Sequence, residues 1–167
     1  GDVEKLKRYC AAHGLGCDVI ARVELDGVTV SSSYIRTLLE NGEAERAREF
    51  LGHPYVLSGT VRHGRGIGRT QLFPTVNLAP QEGKLLPRYG VYATRVLLAD
   101  GRAFTGVTNV GVRPTVSGEG VTVETYLLDF FGDLYGQTLR VEFYRFLRPE
   151  QRFSSTQELH DRIARNA

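Results

Sequence analysis

Apolar positions recur at helical spacing in most of the first third of the chain. Leu6 and Cys10 lie on one face behind an acidic N-cap candidate, Asp2. Residues 17–25, CDVIARVEL, instead predict a strand, and a turn follows at LDGV. Two more short helices are predicted at SSSYIRTLLENG and EAERAREFLG. The pattern therefore predicts an α/β segment of one strand and two or three helices over residues 1–51.

The pattern changes near residue 52 to short runs rich in β-branched and aromatic residues, which favour strands. These runs are YVLSGTVRH, GVYATRVLL, AFTGVTNVG, VTVETYLLDF and TLRVEFYRFL. Glycine-containing loops separate them, and ADGR is a hairpin signal. Five or six strands at this spacing predict a mainly β fold, either a small sandwich or a closed barrel. Of the two we expect a small closed antiparallel barrel with Greek-key-like connections. Ser155 and Glu158 form a capping box that predicts a C-terminal helix on the barrel. Residues 52–167 are thus predicted to be a second module.

Composition narrows the choice of partners. The chain has 167 residues and a net charge of +2, too small a charge for the basic face that nucleic-acid binding needs. No apolar run approaches a membrane span, so neither nucleic acid nor a membrane is expected as a partner. Cys10 and Cys17 have no metal or redox spacing, which predicts free thiols in a reducing cytoplasm. The chain opens on glycine and lacks methionine, and we expect a trimmed chain or a fragment.

A glycine-rich segment, SGTVRHGRGIGRT, is the first stretch with candidate chemistry. Its glycines at 59, 64, 66 and 68 allow close backbone approach to a ligand, and Arg65 and Arg69 add positive charge. Clustered backbone N–H groups bind anions, so the segment indicates phosphate binding. The G-K-[ST] ending of a Walker A loop is missing. The alternative is a hairpin loop without a ligand.

Two polar side chains follow within an apolar strand-like run, RTQLFPTVNL. In an extended chain Thr75 and Asn77 point to the same face, and Pro74 cannot donate to a sheet ladder. Their neutral oxygens would suit Mg²⁺ that also shares nucleotide phosphates. The alternative is a strand edge whose polar residues face water.

A carboxylate in VTVETYLLDF is the third candidate. Strand alternation places Thr122, Glu124 and Tyr126 on one face, opposite Val121, Val123 and Thr125. Glu124 is either a barrel-surface residue or a functional base, because glutamate is almost never fully buried unless it is paired.

These motifs resemble a known family. Residues 54–167 resemble the riboflavin kinase module of bacterial bifunctional riboflavin kinase/FAD synthetases, through a G-x-V-x-x-G start, a glycine loop and LFPTVN. The stretches YGVYATRV, GVTNVGVRPTV, VETYLLDFFGDLYG and LRPEQRF follow in family order. Residues 1–51 resemble the end of the family's FMN adenylyltransferase module, through VSSSYIRTLLENGEAERAREFLGHPY. The adenylyltransferase HxGH motif is not formed by any of the four histidines, so the rest of that module is expected in a longer chain.

The resemblance implies small-molecule substrates, a reaction and site residues. It implies ATP-dependent phosphorylation of riboflavin to FMN with Mg²⁺, and adenylylation of FMN to FAD only in a full-length chain. Glu124 resembles the catalytic base, and Thr75 and Asn77 the metal and phosphate ligands. The other implied positions are the nucleotide loop (His63, Gly64, Gly66, Gly68, Arg69), the flavin contacts (Arg148, Phe153) and the phosphate contacts of the adenylyltransferase (Ser31, Ser32, Arg36).

Three positions depart from the family pattern. Leu72 stands where the family usually has glycine, Tyr126 replaces a common histidine, and Val76 replaces alanine. None of them removes a residue with an implied chemical role. Two rival functions also stay open: a flavin-binding barrel without catalysis, and a regulatory or assembly module of the full-length enzyme.

Overall fold

The structure is a computed structural model that describes residues 2–62, 75–115 and 118–150, with the backbone alone at residues 113–115, 118 and 119. Its described elements are three helices and eight strands: α1 (Val3–Ala12), β1 (Glu24–Leu25), β2 (Val28–Thr29), α2 (Ser32–Asn41), α3 (Ala44–Leu51), β3 (Tyr55–Arg62), β4 (Thr75–Pro80), β5 (Gly90–Leu97), β6 (Ala103–Thr115), β7 (Gly118–Leu127) and β8 (Thr138–Pro149). By its contacts the chain divides into two compact units, Gly1–Ser31 and Ser32–Ala167.

The first unit contains the predicted helix and a hairpin. The Asp2 side chain accepts a hydrogen bond from the Glu4 backbone N–H, which confirms the N-cap of α1. The strand predicted over residues 17–25 is wrong in length, because only Glu24–Leu25 pairs, with Val28–Thr29. Ile20 is 89% exposed, and a strand needs a paired neighbour to satisfy its backbone. The predicted turn is present, with positive φ at Asp26 and Gly27.

The two other helices belong to the second unit and were placed correctly by the sequence. Gly42 follows α2, and Gly52, with a φ of 75°, ends α3 by donating to the Arg48 carbonyl. Ala44 of α3 is buried in the same core as the barrel strands. The contact boundary after Ser31 thus differs from the composition boundary near residue 52, which marks where helices give way to strands. The division into modules at 51 and 52 stays a prediction.

The remaining strands close into an antiparallel barrel in the order β3-β4-β7-β6-β5-β8, with β8 paired back to β3. Strands β5, β6 and β7 form successive hairpins, and β4 lies beside β7, which is a Greek-key connection. The predicted mainly β fold with a closed barrel is confirmed. The predicted C-terminal helix with its Ser155–Glu158 capping box lies outside the described residues.

The barrel interior is apolar apart from one line of threonines. Its fully buried side chains include Leu57, Tyr92, Val110, Leu139 and Phe143. Thr94, Thr108 and Thr125 are also buried, and their hydroxyls form a chain with two Oγ1–Oγ1 distances of 2.9 Å. Hydrogen bonding of this kind offsets the cost of burying the hydroxyls.

Two further sequence expectations can be compared with the described residues. Cys10 and Cys17 are free thiols. Burial raises the pKa of Cys10, and the neighbouring Cys17 raises it further. None of the described helices has the length and apolar character required to cross a bilayer.

Candidate active site

A row of polar side chains crosses the outer face of the barrel. Asn77 of β4 is in register with Glu124 of β7, and Glu124 is in register with Asn109 of β6. Residues directly opposite in adjacent strands share a face and have Cβ atoms about 4.5–5.5 Å apart. Glu124 is therefore flanked on both sides by an asparagine amide.

Burial confirms the predicted alternation over the middle of β7, whereas Val121, which was predicted on the face of Val123, is 44% exposed. Val123 and Thr125 point inward with 1% and 0% exposure, while Glu124 is half-buried. Asn77 and Asn109 are half-buried as well. Glu124 thus belongs to the outer face, as the barrel-surface alternative requires, yet it is partly shielded, as a functional base requires. Its catalytic role stays a prediction.

The next row of facing residues on the same side of the barrel, two residues further along each strand and called a rung below, contains Thr75. It is in register with Tyr126, and its side chain is exposed. Burial raises the pKa of the Tyr126 phenol, and the Asp129 carboxylate raises it further, so this phenol is neutral at physiological pH. The prediction that Thr75 and Asn77 share a face is confirmed by their cross-strand partners.

The glycine-rich segment joins two strands of this site. Residues 63–74 connect Arg62 at the end of β3 to Thr75 at the start of β4, and Arg62 is itself in register with Asn77. The predicted nucleotide-loop residues (His63, Gly64, Gly66, Gly68, Arg69) lie outside the described residues, as do Leu72 and Pro74. Both described ends of the segment are nevertheless at the polar row.

One glycine of that stretch has a different role. Gly59 is buried within β3, where a Cβ would collide with the carbonyl group of Ala79 on β4. Gly59 therefore serves the close approach of two strands. Sequence reasoning grouped it with the ligand-binding glycines, because its register against β4 cannot be read from the chain.

Strand register links Asn109, through the buried Val91, to a predicted flavin contact on β8. Asn109 is in register with Val91 of β5, and Val91 with Arg148 of β8. Arg148 is half-buried and donates a hydrogen bond of 3.4 Å to the Pro149 carbonyl. Phe153, the other predicted flavin contact, lies outside the described residues.

The predicted adenylyltransferase contacts lie at the start of α2. Ser32 and Arg36 are exposed, one turn from each other on α2, and Ser31 precedes the helix. Their role stays a prediction.

The donor set determines which metal this face could hold. In residues 2–62, 75–115 and 118–150, no three His, Cys, Asp or Glu side chains come together as a metal site. The Thr75 hydroxyl and the Asn77 amide oxygen are hard, neutral donors on the same outer face, which fits Mg²⁺ that takes its other ligands from water and phosphate.

Sequence reasoning missed three polar residues, two beside Glu124 and one beside Gly111. They are Asn109 on β6, Thr122 on β7 and Glu150 after β8. Strand alternation alone placed Thr122 on the face of Glu124. Only the register of β6 against β7 brings Asn109 and Gly111 alongside.

Comparisons with known proteins agree with this architecture. The flavokinase family profile, described as riboflavin kinase, matches residues 51–167. The chain is 40% identical over 164 residues to a bifunctional riboflavin kinase/FMN adenylyltransferase of Pseudomonas fluorescens, covering 98% of this chain and 52% of the relative. The Escherichia coli K12 protein of that name is 43% identical over 140 residues, covering 84% and 44%.

A solved structure extends the likeness to the whole chain. A macrolide-efflux protein from Streptococcus pneumoniae matches with a TM-score of 0.85 and 30% identity, covering 99% of this chain and 53% of that one. The chain thus spans about half the length of the curated relatives it matches. The family profile covers most of the chain and includes all six barrel strands. This chain therefore belongs to the riboflavin kinase family.

Proposed function

We propose that this chain transfers the γ-phosphoryl group of ATP to the 5′-hydroxyl of riboflavin, giving FMN and ADP. The observation that carries the proposal is the register of Asn77 with Glu124, which sets a candidate metal ligand beside a candidate base. Both residues lie at the end of the barrel where the glycine-rich segment is attached. Phosphoryl transfer depends mainly on positioning and charge stabilisation, and such a face can supply both.

The nucleotide side of the site is formed by β4. The Thr75 hydroxyl and the Asn77 amide oxygen would hold Mg²⁺, which neutralises charge on the phosphates when bound. The Asn77 amide N–H₂ group stays available, because an amide offers two donors besides its oxygen. Glycines 64, 66 and 68, with His63 and Arg69, would bind the phosphates through backbone N–H groups and positive charge.

The acceptor side begins at Glu124. Its carboxylate would accept the proton of the 5′-hydroxyl as that oxygen bonds to the γ-phosphorus. The bond from the γ-phosphorus to the bridging oxygen breaks at the same time, and ADP leaves with that electron pair. Arg148 and Phe153 would contact the flavin ring. In a longer chain that contains the HxGH motif, Ser31, Ser32 and Arg36 would contact phosphate during adenylylation of FMN to FAD.

The direct test is incubation of the chain with ATP, Mg²⁺ and riboflavin, followed by chromatography of FMN and ADP. Binding of riboflavin without formation of ADP would instead favour the flavin-binding barrel. The assembly alternative predicts neither binding nor turnover, and a change in elution when the chain is mixed with the intact enzyme.

The Glu124→Gln variant tests the base. Glutamine keeps the shape and one acceptor oxygen but cannot take up a proton at neutral pH, so kcat should fall by roughly 10²–10⁴-fold. Glu142→Gln is the matched control, because Glu142 is also a half-buried barrel glutamate, on β8. A fall of less than tenfold in a folded Glu124→Gln variant would remove Glu124 from the role of base.

A further inference from the structure

The proposed reaction fixes the side of Glu124 on which the acceptor lies. Attacking and leaving oxygens are roughly in line through phosphorus. The nucleotide side is at β4, where Asn77 flanks Glu124, so the acceptor's carbon chain has to leave Glu124 toward β6. The residue of β6 in register with Glu124 is Asn109.

Two rungs of the outer face adjoin this pair, and each carries one hydroxyl, but the rung with the Tyr126 phenol also contains Thr75 on the nucleotide side. One is formed by Val107 and Tyr126, and the other by Gly111 and Thr122. The second rung has a hydroxyl and, above Gly111, the Glu150 carboxylate, with which a Cβ at position 111 would collide. An acceptor chain with several hydroxyls is matched by the second rung.

Thr122 gives the strongest single indication. Its Oγ1 is buried and has no hydrogen-bond partner among the described residues. A buried hydroxyl without a partner destabilises a fold, so its retention in this chain calls for another explanation. A hydroxyl of a bound molecule would satisfy it.

Asn109 adds a second unused group. It is half-buried, and within the described part of the chain its side chain makes no hydrogen bond. An amide offers two donors and an acceptor, which suits a hydroxyl that both donates and accepts. Asn109 and Thr122 are on adjacent strands, and the rungs are two residues or roughly 7 Å apart, comparable to the span of a short polyol.

We infer that Asn109 and Thr122, with Glu150 beside them, bind the inner hydroxyl groups of the ribityl chain and select a polyol-bearing acceptor. The inference rests on the proposed function for the identity of the acceptor. It assigns Asn109 and Thr122 to substrate specificity and leaves proton transfer to Glu124.

The test compares riboflavin with a flavin that carries a 5-hydroxypentyl chain, which keeps the terminal hydroxyl and lacks the inner ones. Asn109→Ala and Thr122→Val should each lower kcat/KM for riboflavin by about three- to tenfold, the value of one lost hydrogen bond. The value for the hydroxypentyl flavin should not change. Thr122→Val should also keep or raise the Tm, because it removes an unsatisfied buried hydroxyl.

Thr105→Val is the matched control, since Thr105 is an exposed threonine on the outer face of β6 and four residues from Asn109. This variant should leave kcat/KM unchanged for both flavins. If Asn109→Ala does not fold, Asn109→Thr replaces it in the same comparison. An equal loss with both flavins, or no loss with either, would overturn the inference.

Dissociation constants of both flavins, from quenching of flavin fluorescence, separate the inference from the proposed function. If the chain binds riboflavin but transfers no phosphate, the proposed function fails. The ratio of the dissociation constants of the two flavins still tests the roles of Asn109 and Thr122. Absence of riboflavin binding would overturn both.

Discussion

The buried threonine chain gives a prediction about the stability of the barrel. Thr108 is 0% exposed and lies between Thr94 and Thr125, with 2.9 Å from its Oγ1 to each of theirs. Thr108→Val removes the shared partner and leaves two buried hydroxyls unsatisfied. Each such hydroxyl costs about 1–3 kcal/mol, and the added methyl group recovers part of this. We therefore expect the free energy of unfolding to fall by about 2–4 kcal/mol.

The assay is urea unfolding followed by circular dichroism, with the Tm as a second measurement. The loss should appear as a lower midpoint with an unchanged slope, and the Tm should fall by roughly 2–4 °C per kcal/mol. Thr105→Val on the same strand, with its side chain exposed, should change stability by less than about 0.5 kcal/mol.

A triple replacement of Thr94, Thr108 and Thr125 by valine sharpens the test. It leaves no orphaned hydroxyl and adds apolar surface to the core, so it should be more stable than the single variant Thr108→Val. The reasoning is refuted if Thr108→Val unfolds at the wild-type midpoint, or if the triple variant loses more stability than the single one.

Three further predictions concern the site and the strands that hold it. Thr75→Ala and Asn77→Ala should weaken Mg-ATP binding more than riboflavin binding, because each removes a ligand from a metal with few protein ligands; calorimetry with and without Mg²⁺ measures this, and unchanged metal dependence in both would make the pair a polar strand edge. The chain should form FMN without FAD, because it lacks the HxGH motif. Chromatography measures both products, and FAD formed as fast as FMN would contradict this prediction. Gly59→Ala should cost about 1–3 kcal/mol in the free energy of unfolding, because its Cβ would collide with Ala79; Gly16→Ala, with nothing within 4 Å of its Cβ, is the control, and equal midpoints for both would argue against the clash.

Local pattern alone was sufficient for much of this fold. The start of α1 at Asp2, the end of α3 at Gly52 and the two faces of β7 follow from capping and alternation, which involve only neighbouring residues. The number and spacing of strands indicated a small sandwich or a closed barrel for the same reason, and the motifs around Thr75 and Glu124 indicated the family.

Tertiary structure decided what depends on pairing between distant strands. The length of β1 and the role of Gly59 depend on whether another strand lies alongside, and a single strand's sequence does not state its register. The same holds for Asn109, which sequence reasoning passed over as an ordinary residue of β6. It became a candidate site residue only because the β6–β7 register places it opposite Glu124. The local sequence thus predicts which residues are polar and which face of a strand they occupy. The site itself depends on the register that brings β4, β6 and β7 together.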